Sequence, residues 1–205
     1  MFKFLISIVG LVLLISLIIS GLHLLRVAYK NKKELSQFAD KKIVYNNNLG
    51  KVLIVYYSLG GNTKQIAENI AKKINAELFE IKTLDKIKLG LPFYLEIKKQ
   101  LNSKKYQKIE EKMPDFAKYD TIFVGFPVWW YTIATPVLAF LQKANFMNKT
   151  TIPFSTQGSN YGTSFTDFDK MAKNAKIGKS ASFNNIAAKY DKELDNKINN
   201  WLNNI

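Results

Sequence analysis

The chain has 205 residues, 47% of them hydrophobic, and a formal net charge of +14, which suits one domain with a substantial core plus a terminal extension. It has no cysteine and a single histidine, His23. Disulfides, Cys-ligated metals, iron–sulfur clusters and thiol redox chemistry are therefore excluded, and redox chemistry would have to come from a bound organic cofactor. The charge is almost wholly lysine, with Arg26 the one arginine. This argues against a nucleic-acid partner read through bidentate Arg contacts, and leaves a solvated Lys surface or attraction to an anionic membrane face.

Phe4 to Leu22 is apolar apart from Ser and Gly. Nineteen helical residues span about 28 Å, close to the hydrocarbon thickness of a bilayer. The run exceeds a signal-peptide core and no A-x-A site follows, so residues 1–28 are expected to form an uncleaved single-pass anchor in contact with membrane lipids. Lys3 precedes the span, while Arg26, Lys30, Lys32 and Lys33 follow it. The positive-inside rule then places the rest of the chain in the cytoplasm. His23, within the apolar segment, reads as an interfacial residue. Residues 29–50 read as a polar linker or short juxtamembrane helix, ending in the turn Asn46-Asn-Asn-Leu-Gly50.

The domain expected over residues 51–205 starts with an apolar strand, Lys51 to Tyr57, then Ser58-Leu59-Gly60-Gly61-Asn62-Thr63, then a helix from Lys64 to Ile74. A strand, a tight turn and a helix N-terminus form a nest of backbone N–H groups suited to an anion, most often a phosphate. The same residues would also make an ordinary capped βα loop. No GKS or GKT follows the glycines, and they are adjacent rather than spaced as GxGxxG, so a mononucleotide phosphate fits better than a triphosphate or dinucleotide.

Further along, Ala76 to Ile81 reads as a strand and Phe93 to Leu101 as a helix. Thr121 to Val124 reads as a strand ending at Gly125, with Phe126 to Thr132 a loop. Pro136 to Ala144 reads as a helix with Pro in its first turn. A strand over Thr151 to Ser155, a Gly-rich loop over Thr156 to Gly162, a helix over Phe165 to Ala175, a strand over Lys179 to Phe183 and a closing helix over Asp191 to Trp201 complete the chain. Alternating strands and helices imply an α/β fold, a parallel sheet covered on both faces. Ligands of such sheets bind beyond the C-terminal strand ends, and the three unusual loops, after Tyr57, Gly125 and Ser155, all follow strands.

Over roughly Lys51 to Trp201 the chain resembles the flavodoxin family. Ser58 to Thr63 resembles the FMN phosphate loop. Gly125-Phe-Pro127-Val128-Trp129-Trp130 resembles the second loop of a short-chain subgroup with a G-x-P-x-W-W string. Thr156-Gln157-Gly158-Ser159, with Tyr161-Gly162, resembles its third loop. Gly60 departs from the hydroxyl that many members carry there. The resemblance implies a doubly wound, five-stranded parallel sheet of order 2-1-3-4-5, with FMN as cofactor. Ser58, Asn62 and Thr63 would hold the phosphate, Pro127 to Trp130 would line the ring, and Thr156 to Gly158 would lie near its polar edge.

The function expected on this basis is electron transfer by an FMN protein tethered to the inner face of a membrane, its partner a redox protein or a quinone. The second expectation is an NAD(P)H-dependent quinone reductase of the same fold; the third is a flavin-free interaction module. No side chain need act as a catalytic acid or base. The positive excess predicts a less negative potential for the fully reduced flavin than in acidic flavodoxins.

Overall fold

The computed structural model describes residues 2–40, 42–87, 90–184 and 190–205, with side chains from residue 8 onward. Met1 of the expected anchor and Lys41 of the expected linker lie outside the described residues. Helix α1 runs unbroken from Phe2 to Ser36. Its stretch from Ile8 to Ser36 is long and apolar enough to cross a membrane, with a mean hydropathy of 2.6 in its most apolar window and none of that window buried. The hydroxyls of Ser16 and Ser20 donate to the carbonyls of Val12 and Ser16, both at 2.8 Å. They are thus satisfied within the helix, as a lipid environment requires.

After α1 the chain alternates: β1 (Val52–Tyr56), α2 (Asn62–Ile74), β2 (Glu77–Glu80), α3 (Leu91–Ser103), β3 (Thr121–Trp129), β4 (Thr132–Ile133), α4 (Thr135–Lys143), β5 (Thr150–Gln157), α5 (Ser164–Met171), β6 (Lys176–Ile177), β7 (Ala181–Asn184) and α6 (Asp191–Leu202). The parallel order is β2-β1-β3-β5, with both β6 and β7 on the far side of β5. β6 pairs with Thr150–Thr151 and β7 with Phe154–Gln157. The fifth strand of the expected 2-1-3-4-5 sheet is thus present in two pieces, the first still bonded to β5 just past its end, where Gly178 N donates to Thr151 O at 2.9 Å.

Every residue of β1 is buried, the mark of a parallel strand covered on both faces. Leu53, Val55, Ile122, Val124 and Phe126 point to one face and pack with α4 residues such as Val137, Phe140 and Leu141. Val52, Ile54, Phe123, Ile152 and Phe154 point to the other, against Ile66 and Ile70 of α2 and Leu194, Ile198 and Trp201 of α6. Period-two alternation in the strands and a 3.6-residue stripe in the helices produce this doubly wound arrangement.

Two expectations need correction. β3 does not stop at Val124. It continues through Phe126, Pro127 and Val128 to Trp129 and turns back into β4 through a two-residue hairpin, with Val128 opposite Ile133 and Trp129 opposite Thr132. Pro127 is tolerated because its carbonyl, not a missing N–H, carries the local bond, accepting from Ala134 N at 3.1 Å. Likewise Thr156 and Gln157 belong to β5 rather than to the loop after it.

The described residues between α1 and the sheet are also held in place. Asparagines three to four residues apart, Asn196 and Asn199 on α6 and Asn203 just past its end, hydrogen-bond the backbone of this segment. Asn196 Nδ2 donates to Phe38 O at 3.0 Å and its Oδ1 accepts from Ile43 N at 3.2 Å. Asn199 donates to Ile43 O at 2.6 Å, while Asn203 donates to Val44 O and accepts from Asn46 N. Glu34 ion-pairs with Lys197, and Leu35 is buried. The last turns of α1 and the extended strap after it are therefore seated on α6.

Candidate functional site

The C-terminal ends of β1, β3 and β5 face two adjoining clefts. The first, about 240 Å³, is lined by Ser58, Leu59, Gly60, Asn62, Thr63, Pro127, Val128, Trp129, Thr156, Gln157 and Gly158. The second, about 330 Å³, shares Val128, Trp129, Gln157 and Gly158 and adds Phe93, Tyr94, Trp130, Tyr131, Ser159 and Asn160. Clefts of this size and apolar-to-polar mix suit a small ligand. A wider groove of about 800 Å³ lies between the strap and α6, lined by Lys42, Tyr45, Lys73, Asn199 and neighbours. It meets neither the glycine-rich turn nor the aromatic wall.

At the first cleft the glycine-rich turn is built for an anion. Gly61 takes φ 88° as the N-cap of α2 and offers no side-chain cap to the helix's first N–H groups. Those donors and the positive end of the helix dipole are left for a ligand. The Ser58 hydroxyl is buried and has no protein partner, a cost of about 1–3 kcal/mol unless something else bonds it. A Cβ at Gly60, Gly61 or Gly158 would meet nothing within 4 Å, so a ligand can approach the backbone there. Thr63 and Thr156, both buried, share a 2.7 Å hydroxyl–hydroxyl bond. It ties the first turn to the end of β5.

Trp129 lines both clefts. Its ring is held edge-on by Tyr57, centroids 5.7 Å apart, and by Phe93, 5.0 Å apart. Burial and the Glu80 charge push the Tyr57 phenol up to about 12, so it stays neutral at physiological pH. Trp130, 45% exposed, lies under Lys98 Nζ at 5.0 Å and donates its indole N–H to Tyr94 O at 3.1 Å. The apolar pair Phe93 and Tyr94, absent from the sequence reading of the site, enters from the first turn of α3. The only local sign of it is Leu91-Pro-Phe-Tyr94, a Pro-led helix start with two aromatics.

The hairpin carrying this wall is strained. Trp130 and Tyr131 have φ of 50° and 61°, the left-handed pair of a type I′ turn that normally takes Asn-Gly. Such a conformation costs about 1 kcal/mol or more per non-Gly residue. It is held from outside: Tyr131 O accepts from Thr163 N at 2.8 Å, and Asp167 accepts from the hydroxyls of Thr132 and Thr163, each at 2.6 Å. Replacing Trp130-Tyr131 by Asn-Gly is expected to raise the apo-protein's stability by about 1 kcal/mol, read as a higher urea midpoint, while removing one wall of the second cleft.

The structure therefore brings together Ser58, Leu59, Gly60, Asn62, Thr63, Pro127, Val128, Trp129, Trp130, Thr156, Gln157 and Gly158. Gly61 shapes the turn from behind. Tyr161 and Gly162 do not line either cleft. Tyr161 packs on Phe165, centroids 5.0 Å apart, and Gly162 lies against the Tyr131 carbonyl.

Comparison with known proteins gives a consistent answer. The sequence model of a flavodoxin family matches residues 51–205. Comparison with curated proteins returned no match. Among solved structures, a flavoprotein from Lactobacillus acidophilus NCFM, determined in complex with FMN, is 27% identical and superposes with a TM-score of 0.58. That match covers 65% of this chain and 93% of the other. Two proteins assigned as flavoproteins share the fold: one from Bacteroides eggerthii DSM 20697 (22% identity, TM-score 0.63, covering 76% of this chain and 98% of that one) and one from Bacteroides uniformis ATCC 8492 (24%, 0.64, 75% and 97%).

Proposed function

Since the chain belongs to the flavodoxin family, we propose that it binds FMN across the two adjoining clefts and carries electrons while tethered by α1 to the cytoplasmic face of a membrane. The observation that carries this reading is the partnerless, buried Ser58 hydroxyl at the N-terminus of α2, beside a slot walled by Trp129. The residues fit the cofactor's two ends. Ser58, Asn62, Thr63 and the free N–H groups of α2 suit the phosphate. Val128, Trp129, Trp130 and Tyr94 suit a flat aromatic ring, and Gln157 with the backbone at Gly158 and Ser159 suits its polar edge.

When bound, the flavin would supply one- or two-electron transfer. The chain's own part is to hold the phosphate, fix the ring and exclude water. Neither cleft is lined by an Asp, Glu or His among the described residues. Four basic side chains after the apolar run, Arg26, Lys30, Lys32 and Lys33, against Lys3 before it, support a cytoplasmic domain.

The test is the visible spectrum of the full chain purified in detergent and incubated with FMN. A bound-flavin absorbance with quenched fluorescence is expected; a chain that stays colourless at every FMN concentration would sink the proposal. A linked result concerns potential. With no carboxylate among the described residues lining the clefts and a net charge of +14, the anionic reduced cofactor is less disfavoured than in an acidic protein. Potentiometric titration should give a less negative value for full reduction than an acidic flavodoxin measured alongside.

A further inference from the structure

We propose that the cofactor edge of the sheet lies against the bilayer interface, with the hairpin at Trp130–Tyr131 and the first turns of α3 seated among the lipid headgroups. This rests on the tethered reading given above and adds which way the domain faces.

The placement follows from where α1 joins the domain. Asn31, Glu34 and Leu35 border a small gap with Asn184 and Lys197. Asn184 is the register partner of Gln157, the last residue of β5, and accepts from the Gln157 side chain at 3.2 Å. Gln157 lines both clefts. The seated end of α1 is thus at the C-terminal edge of the sheet, beside the site. From there the chain descends along α6, with Phe38 at Asn196, Ile43 at Asn199 and Asn46 at Asn203. α6 itself runs from the C-terminal edge back toward the N-terminal edge. The apolar part of α1 therefore projects past the cofactor edge. Leu25, just past the apolar run that ends at Leu22, is about 9 Å of helix from Asn31, and Leu22 is about 14 Å from it. The cofactor edge therefore stands within about 9–14 Å of the hydrocarbon, at or just outside a headgroup layer of ~5–8 Å.

What this edge exposes suits that depth. Leu91, Tyr94, Leu95, Trp130, Tyr131 and Tyr161 are between 45% and 74% exposed. The Trp130–Tyr94 bond joins the start of α3 to the hairpin, and Tyr131 lies against Gly162, next to Tyr161. Trp and Tyr favour the membrane interface because one end of the ring is apolar and the other polar. Lys98, over the Trp130 ring, adds attraction to anionic headgroups. Elsewhere on the described domain, exposed large apolar residues such as Leu84, Met147 and Ile177 are scattered singly, which needs no explanation. The seating on α6, with Leu35 buried and Glu34 paired to Lys197, keeps the domain from swinging freely about its tether.

The absence of cysteine makes the test clean. Single variants Leu14→Cys, Leu95→Cys, Tyr131→Cys and Lys118→Cys of the full chain are spin-labelled and reconstituted into phosphatidylethanolamine–phosphatidylglycerol vesicles. Lys118 lies before β3, at the opposite edge. Labels at 14, 95 and 131 should each show a several-fold higher ratio of oxygen to water-soluble nickel-chelate accessibility than the label at 118. In the unlabelled chain, brominated lipid should quench a component of the fluorescence that Trp130→Phe removes. Labels at 95 and 131 as aqueous as 118, with 14 in lipid, would overturn the inference, assign this face to a protein partner and leave the tether intact. An aqueous label at 14 would overturn both.

Discussion

Trp129→Ala is expected to weaken FMN binding about 5- to 150-fold, the equivalent of ~1–3 kcal/mol for a flat ring losing its aromatic neighbour. Trp129 is the residue that both clefts share with an aromatic side chain, and its ring is oriented by edge contacts from Tyr57 and Phe93. Truncation removes the wall and also frees those two rings to fall into the space. Because Trp129 is half-buried, the stability loss should be about 2 kcal/mol, below the ~3–5 kcal/mol typical of deleting a fully buried large aromatic. Trp129→Phe, which keeps an aromatic face, should recover most of both. FMN titration by fluorescence quenching, with urea unfolding of the apo forms, separates the effects. Unchanged affinity in Trp129→Ala would move the ring away from this wall.

The parts of the site that could be read from the sequence are those whose chemistry is local. Ser58 to Thr63 follows an apolar strand and opens an amphipathic helix, so backbone periodicity alone placed it at a helix N-terminus. The doubly wound sheet followed from alternating strands and helices in the same way. The hairpin was not legible because its turn breaks the usual rule. Trp-Tyr stands where Asn-Gly would signal a type I′ turn, and the conformation is imposed by Thr163 and Asp167, more than thirty residues away. Phe93 and Tyr94 were missed for a similar reason: only tertiary packing brings the start of α3 to Trp129. The strap before β1 read as a polar linker because asparagine is a turn and loop residue by composition. Its placement depends on Asn196 and Asn199 of α6 and Asn203 just past its end, a spacing with no apolar signature. The break in the fifth strand is likewise tertiary. Gly178 still donates to Thr151 O at 2.9 Å, and a Cβ there would come within 2.8 Å of Ile152, so glycine lets the backbone pass close to β5 before pairing resumes in β7.

Two glycine substitutions four residues apart should have opposite signatures. Gly162→Ala puts a Cβ 2.1 Å from the Tyr131 carbonyl oxygen and 2.5 Å from its Cβ, at φ +55°. The obstacle is backbone, so no rotamer change relieves it. The left-handed conformation alone costs an Ala ~1–2 kcal/mol. The loop must then lift from the hairpin and lose the Thr163 N–Tyr131 O bond of 2.8 Å, which is what holds Trp130 and Tyr131 in their strained turn. A total loss of about 2–4 kcal/mol is expected, with FMN affinity falling as well because the hairpin relaxes. Gly158→Ala meets nothing within 4 Å and carries no positive φ, so the apo-protein should unfold at the same urea concentration as the parent. Its methyl group projects into the cleft where Gly158 borders both Trp129 and Gln157, and affinity should drop although stability does not. The pair thus distinguishes a glycine needed for the fold from a glycine needed for ligand approach. If Gly158→Ala bound FMN as well as the parent, the polar edge of the flavin would not lie at the end of β5. If Gly162→Ala left both midpoint and affinity unchanged, the strained hairpin would be held by contacts other than the loop after β5.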